Sequence, residues 1–251
     1  MGRPRQLLKS ALNAVLPRSL FLTQGKRLSD EMICDAVSGP TISLTFDDGP
    51  HPQHTPALLD ELDAAGIRAT FFVIGERAEQ HQKLVQRITA AGHEIGNHTW
   101  THSEPGRTST LQFLNEVRRT REFLEELTGN PCRIVRPPKG RLSTGKLLGL
   151  LATRQPVVLW NCDTKDYSLS HSAEIDRWFT DYSPGHGDIL LMHDVHPHAA
   201  RGVACLRTQS AFSRLQYRRV SDWLPGRVAS GWSDLQDDSL KGRSQSDRVR
   251  V

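Results

Sequence analysis

Between residues 41 and 220 the chain alternates runs of strand length with amphipathic stretches, and that alternation limits the fold more than any other feature. The runs cover residues 41–46, 69–74, 93–98, 133–137, 156–161, 188–192 and 217–220. One of them, Ala69-Thr70-Phe71-Phe72-Val73-Ile74, is apolar almost without interruption, the composition of a strand covered on both faces. Between the runs, Leu, Ile and Val at helical spacing predict helices over 55–65, 82–91, 110–127, 143–151, 172–182 and 204–215. Thr55 is expected to cap the first and Pro56 to open it, while Gly66, Gly92 and Gly129 act as stops. A repeated strand–helix order predicts an α/β fold with a parallel sheet, and its regularity favours a barrel over an open sheet. The 251 residues suffice for one substantial core.

The polar residues are not scattered. Asp47 with Asp48, His98 with His102, Arg136, Asp163 with Asp166, and His193 each fall at or just after the C-terminal end of a predicted strand. In a parallel barrel the C-terminal strand ends form one rim, so residues far apart in sequence converge there. The run 41–46 ends in two adjacent carboxylates and the turn residues Gly49 and Pro50. Burying two neighbouring acids costs desolvation energy unless a cation, a proton or an arginine compensates them. Taken alone, Asp-Asp-Gly-Pro reads more readily as an ordinary solvated turn, because such turns are common. His98 and His102 stand at i, i+4 and share a face if the segment makes a helical turn. Two imidazoles and one carboxylate are the donor set of a catalytic zinc site that keeps a position open.

Thr45-Phe46-Asp47-Asp48-Gly49-Pro50, His98-Thr99-Trp100-Thr101-His102, Arg136-Pro137-Pro138-Lys139-Gly140, Asp163-Thr164-Lys165-Asp166-Tyr167 and Leu191-Met192-His193 occur in that order. Together they resemble the five motifs of the polysaccharide deacetylase (NodB-homology) family, carbohydrate esterase family 4, over about residues 40–222. The resemblance implies a distorted (β/α)7 barrel and metal-dependent removal of acetyl groups from N-acetylated sugars, as in chitin, chito-oligosaccharides, peptidoglycan or acetylxylan. It implies Asp48, His98 and His102 as ligands of a divalent metal, Zn2+ foremost and Co2+ as a substitute. It implies Asp47 as the general base toward the attacking water, with Arg136 keeping it ionised and aimed. His193 would be the general acid for the leaving amine, and Asp166 would hold it by a hydrogen bond. Leu191, Tyr167 and Trp100 would offer apolar and aromatic surface to the acetyl methyl and the sugar. Two departures stand out: Lys139 where Tyr is common and Tyr167 where Trp is usual. Lys139 is expected to make the cleft wall cationic while its backbone N–H remains available to an oxyanion. Asp163 is given a supporting role, and His196 and His198 none.

Two other functions stay open on sequence grounds: an amidase or imidase acting on a small non-sugar substrate, and a non-catalytic carbohydrate-binding relative. The expected partner is an N-acetylated glycan or oligosaccharide. The net charge of +4 is no argument for nucleic acid, because 32 basic and 28 acidic residues are interspersed. No run approaches the roughly 18–20 apolar residues of a membrane span. Residues 40–225 are expected to form the deacetylase domain, with 1–39 an N-terminal extension and 226–251 a polar, disordered tail. Within the extension, Leu7, Leu8, Leu12, Val15 and Leu16 give residues 5–16 the pattern of a short basic amphipathic helix ended by Pro17. Docking on the main domain is its expected role, and peripheral contact with a membrane the alternative. The apolar stretch is short and broken by Asn13, no convincing export signal, so a cytoplasmic or envelope-associated location is expected. Cys34, Cys132, Cys162 and Cys205 form no C-x-x-C pair and read as free thiols. Nothing in the sequence reports the oligomeric state.

Overall fold

The computed structural model describes residues 21–22 and 40–224. The helix expected over 5–16 and the tail over 226–251 lie outside the described residues. In chain order the structure runs β1 (Phe21–Leu22), β2 (Thr41–Asp47), α1 (His54–Ala64), β3 (Thr70–Val73), α2 (Gly75–Gln80), α3 (Gln82–Ala90) and β4 (Glu94–Asn97). It continues with α4 (Thr110–Thr128), α5 (Thr144–Ala152), β5 (Val157–Val158), β6 (Cys162–Asp163), α6 (Ser172–Asp181), β7 (Asp188–His193), α7 (His198–Thr208) and β8 (Gln216–Tyr217).

β2 is the hub. It pairs in parallel with β7 from Ile42 to Asp47, with β8 at Thr41 and Ile42, and with β3 from Thr45 onward. β3 pairs with β4, and β6 with β7. Val135 bridges Asn97 of β4 on one side and Val157 of β5 on the other. Because β5 and β6 lie on one bent segment, its first half facing Val135 and its second facing β7, the two edges join and the sheet closes into the expected distorted barrel. The distortion is β8, which occupies the flank of β2 that β3 takes up only at Thr45. β1 pairs with β5 outside the ring.

Strand alternation sorts the core into two layers. Ile42, Leu44 and Phe46 pack in the cluster between sheet and helices with Leu58, Leu62, Phe179 and Val203. The opposite face of β2 carries Ser43, Thr45 and Asp47 toward the barrel interior, where Phe72, Ile134, Val158 and Ile189 cluster. The sequence Thr-Ile-Ser-Leu-Thr-Phe-Asp is therefore a two-faced strand, apolar toward the helices and polar toward the axis.

Local expectations shift in several places: the strands expected over 156–161 and 217–220 shorten to Val157–Val158 and Gln216–Tyr217, and the last helix ends at Thr208. The strand expected over 133–137 reduces to the bridging residue Val135, because Pro137 and Pro138 have no N–H to continue a ladder. Thr55 lies inside α1 instead of capping it, and its hydroxyl accepts from His51 N at 2.7 Å and donates to Asp194 Oδ2 at 2.6 Å. α2 was not anticipated: six residues are too short for a periodic signal. α7 starts six residues before the expected 204, since Ala199 and Val203 extend the buried stripe toward Pro197.

Candidate active site

Asp48 stands at the end of β2 in the left-handed region, φ 74°. This conformation turns its carboxylate away from the path of Asp47 and toward the loop after β4. There His98 Nδ1 donates to the carbonyl of Arg136 at 2.7 Å, which leaves Nε2 as the ring's free lone pair. Nε2 of His98 lies 3.3 Å from Asp48 Oδ1, and Nε2 of His102 lies 3.4 Å from the same oxygen. The ligand atoms of Asp48, His98 and His102 all fall within 4.8 Å of one another, the spacing of groups that share one cation. Asp48 Oδ1 is buried and accepts no hydrogen bond. A buried orphan carboxylate oxygen facing two imidazole nitrogens is the vacancy in charge that a divalent metal fits. Burial opposes ionisation of Asp48, but the adjacent imidazoles outweigh it and hold the carboxyl well below its ordinary pKa.

The convergence does not come from a helical turn. Residues 98–102 are a loop in which Thr99 (φ 66°) and His102 (φ 54°) are both left-handed. Asn97 Oδ1 accepts from Thr99 N at 2.9 Å, and Thr99 Oγ1 accepts from His102 N at 3.2 Å, so side chains replace helical hydrogen bonds.

Asp47, 3% exposed, shares its register with Phe72 and His193 and so points into the barrel mouth. Arg136, fully buried, donates to Asp47 Oδ1 at 2.7 Å and to Thr45 Oγ1 at 2.8 Å through Nη1. Its remaining donors go to the carbonyls of Val158 and Leu159, and its guanidinium carbon lies 4.1 Å from the Phe72 ring centroid. This fork fixes Asp47 by one oxygen. The other, Oδ2, is 3.7 Å from His98 Nε2 and faces the ligand cluster.

Across the mouth, Asp166 grips His193 twice. Its Oδ1 meets His193 Nδ1 at 2.7 Å and its Oδ2 accepts from His193 N at 2.6 Å. Burial alone would lower the His193 pKa, but the Asp166 hydrogen bond and the nearby Asp47 and Asp48 raise it to about 9. With Nδ1 engaged, Nε2 is the nitrogen left to give a proton. Tyr167, 54% exposed, stands edge-on to the His193 ring at 5.4 Å, and Leu191 lies on the same face of β7 two residues earlier.

Comparison with known proteins places the chain in a family. The chain is 37% identical over 188 residues to a chitooligosaccharide deacetylase of Sinorhizobium fredii, covering 71% of this chain and 85% of the relative. The chain belongs to the polysaccharide deacetylase family. The family's sequence model matches residues 35–152. A peptidoglycan-N-acetylglucosamine deacetylase of Bacillus cereus is 38% identical over 136 residues, 53% of this chain; the match spans only half of that relative's length. The solved peptidoglycan deacetylase PdaC of Bacillus subtilis superposes with a TM-score of 0.68 at 28% identity, covering 84% of this chain and 98% of that one.

Within this polysaccharide deacetylase barrel the remaining expected residues fall in different places. Trp100 is 4% exposed and packs edge-on against Phe123, with the Arg119 guanidinium 3.5 Å from its ring. The left-handed Thr99 beside it turns the indole into the α4 interface, so it braces the loop instead of lining the mouth. Lys139 does not make the wall cationic, because its ammonium pairs with the Glu104 carboxylate from the loop that follows His102. Asp163 closes a turn by accepting from Lys165 N at 2.9 Å. His196 and His198 lie tilted to one another, ring centroids 6.2 Å apart, at the start of α7. Three residues were missed by sequence reasoning. Thr45 relays Arg136 to the backbone, its hydroxyl donating to Leu190 O at 2.6 Å; its place two residues before Asp47 was the available signal. Arg77 donates to the Asp48 carbonyl at 2.8 Å from α2. Asp194, directly after His193, is buried against the Gly49 turn, and burial pushes its carboxyl up to about 7.

Proposed function

We propose that the chain is a metal-dependent hydrolase that removes acetyl groups from N-acetylglucosamine-type residues of a polysaccharide or oligosaccharide, of chitin or peptidoglycan type. The observation that carries this is the meeting of three parts at one mouth: the Asp48, His98 and His102 cluster, the Arg136-held Asp47, and the Asp166-held His193. The names of the relatives, which act on peptidoglycan N-acetylglucosamine and chito-oligosaccharides, support the substrate class.

Zn2+ suits two imidazoles and one carboxylate. Bound there, it supplies Lewis acidity, polarising the amide carbonyl and making water more acidic. Everything else is done by the chain. Asp47 takes the proton of the attacking water at its free oxygen, and the Arg136 bond fixes the carboxylate in place. His193, protonated at neutral pH, gives its Nε2 proton to the departing amine nitrogen as the C–N bond breaks. The products are acetate and a free amino sugar. Exposed Tyr167 offers a flat apolar face to a pyranose ring beside that proton donor.

The test is acetate release from chito-oligosaccharides and peptidoglycan fragments, before and after chelation and after returning Zn2+ or Co2+. Release that is lost with chelator and restored by metal is expected. Zinc-loaded protein that releases no acetate from either glycan would overturn the proposal, and hydrolysis of small cyclic imides or amides instead would favour the amidase reading.

A further inference from the structure

We propose that Asp194 is a positioning residue for the metal ligand Asp48: it clamps the Gly49 turn so that the Asp48 carboxylate is held toward His98 and His102. This rests on the metal-binding reading of that cluster.

Asp48 adopts φ 74°, a left-handed conformation that costs free energy for a residue with a Cβ, although less for aspartate than for most. The structure shows what holds it there. Arg77 holds the Asp48 carbonyl at 2.8 Å, and Ile74 N donates to the carbonyl of Gly49 at 3.1 Å. On the opposite side is Asp194. Its backbone N donates to Asp47 O at 3.3 Å, continuing the pairing of β2 with β7 by one residue. Its side chain, in a residue 1% exposed, lies directly over Gly49. A Cβ at position 49 would come within 2.0 Å of Asp194 Oδ2 and 2.1 Å of Oδ1. Gly49 is not in the left-handed region, so it is the approach of this carboxylate, and not backbone freedom, that demands glycine.

Asp194 is itself anchored. Thr55 Oγ1 donates to Asp194 Oδ2 at 2.6 Å and accepts from His51 N at 2.7 Å. A single chain of hydrogen bonds thus runs from the loop backbone at His51, through the first turn of α1, to the carboxylate pressed on the ligand turn. Residues 47–55 are fastened at both ends by one buried residue directly after β7, through its backbone N at Asp47 and its carboxylate at Thr55. The geometry needs a flat, two-pronged group with an acceptor toward Thr55; it does not need the group to carry charge, since Oδ1 has no partner. Groups that hold a ligand by contact and hydrogen bonding commonly change metal affinity by about 10–100-fold when removed.

The experiment measures zinc affinity of the full chain by competition with a chromophoric chelator, alongside thermal melting of the zinc-free proteins. Asp194→Asn keeps shape and acceptor and is expected to stay within about threefold of the parent. Asp194→Ala and Gly49→Ala are expected to weaken zinc binding by roughly 10–100-fold, and Thr55→Val by a smaller factor of about 3–10. Should Asp194→Ala fail to fold, Thr55→Val and Gly49→Ala carry the same comparison. Zinc affinity unchanged in the folded variants would overturn the positioning role. So would an Asp194→Asn loss equal to that of Asp194→Ala, which would make charge the operative property. A parent protein that binds no zinc would sink the metal reading itself, and the positioning role with it.

Discussion

At the N-terminal end of the barrel strands, Ser43 Oγ donates to Arg218 O and accepts from Trp223 Nε1, each at 2.7 Å, and Glu94 Oε2 accepts from Thr70 Oγ1 at 2.8 Å and Ser221 N at 3.2 Å. At the C-terminal end, Asp48 Oδ1 and Asp194 Oδ1 are buried without partners, and Asp48, Thr99, His102, Lys139 and Lys165 all take left-handed backbone. The same strands run through both ends. The base closes its polar groups on one another with Ser221 Oγ as an exception, whereas the mouth combines left-handed backbone with buried carboxylate oxygens that lack donors, of which Asp48 Oδ1 faces two imidazoles. The base therefore serves stability alone, while the proposed chemistry is confined to the mouth.

Substitutions at the mouth should then cost activity first, and substitutions at the base stability alone. The largest effect is expected for Arg136→Leu, which strands a buried Asp47 carboxylate. About 3–5 kcal/mol of stability should be lost in urea unfolding, and acetate release should fall by at least about 100-fold. A variant as stable and active as the parent would break the contrast.

Asp166→Asn should act on chemistry through His193. In the parent the alkaline limb of kcat is expected near pH 9, and in the variant it should move down toward the ordinary histidine value of 6.5, with kcat reduced about 10–100-fold. The same shift governs stability. A histidine whose pKa is raised by folding stabilises fully below about 6.5 and loses that contribution as pH rises through about 9. Metal-free parent should therefore melt at lower temperature at pH 9.5 than at pH 6, and Asp166→Asn should flatten that dependence. An unshifted limb would remove His193 from the acid role.

At the base, Trp223→Phe removes the donor to Ser43 from a side chain 1% exposed. A loss of about 1–3 kcal/mol with unchanged kcat/KM is expected. The smallest effect belongs to Lys139→Ala. Its exposed pair with Glu104 is screened by solvent, so melting should hardly move, and KM for a long oligosaccharide should shift by about two- to fivefold. Constant kcat in that variant would show that the Lys139 side chain takes no part in the reaction.

What the sequence made legible follows from where local pattern suffices. The alternation of β2, the carboxylates at its end and the histidines after β4 and β7 are consequences of strand period and barrel topology, and both are written in residue order. The residues that escaped depend on partners remote in the chain. Trp100 lies in a motif between the two histidines, yet a left-handed Thr99 turns it onto Phe123 and Arg119. Lys139 reads as a free cation until Glu104, 35 positions away, is brought beside it. Thr55 reads as a helix cap, but its hydroxyl serves Asp194, 139 positions away. Val135 alone carries the pairing expected of five residues, because the two prolines that mark its motif also end its ladder.

The account stands or falls on one cation held by Asp48, His98 and His102. X-ray absorption at the zinc edge on the loaded full-length chain measures this directly. Two imidazole nitrogens at about 2.0–2.1 Å and a carboxylate oxygen at a similar distance are predicted, with one imidazole lost in His102→Ala. A spectrum without imidazole scattering, or one unchanged by that substitution, would contradict it.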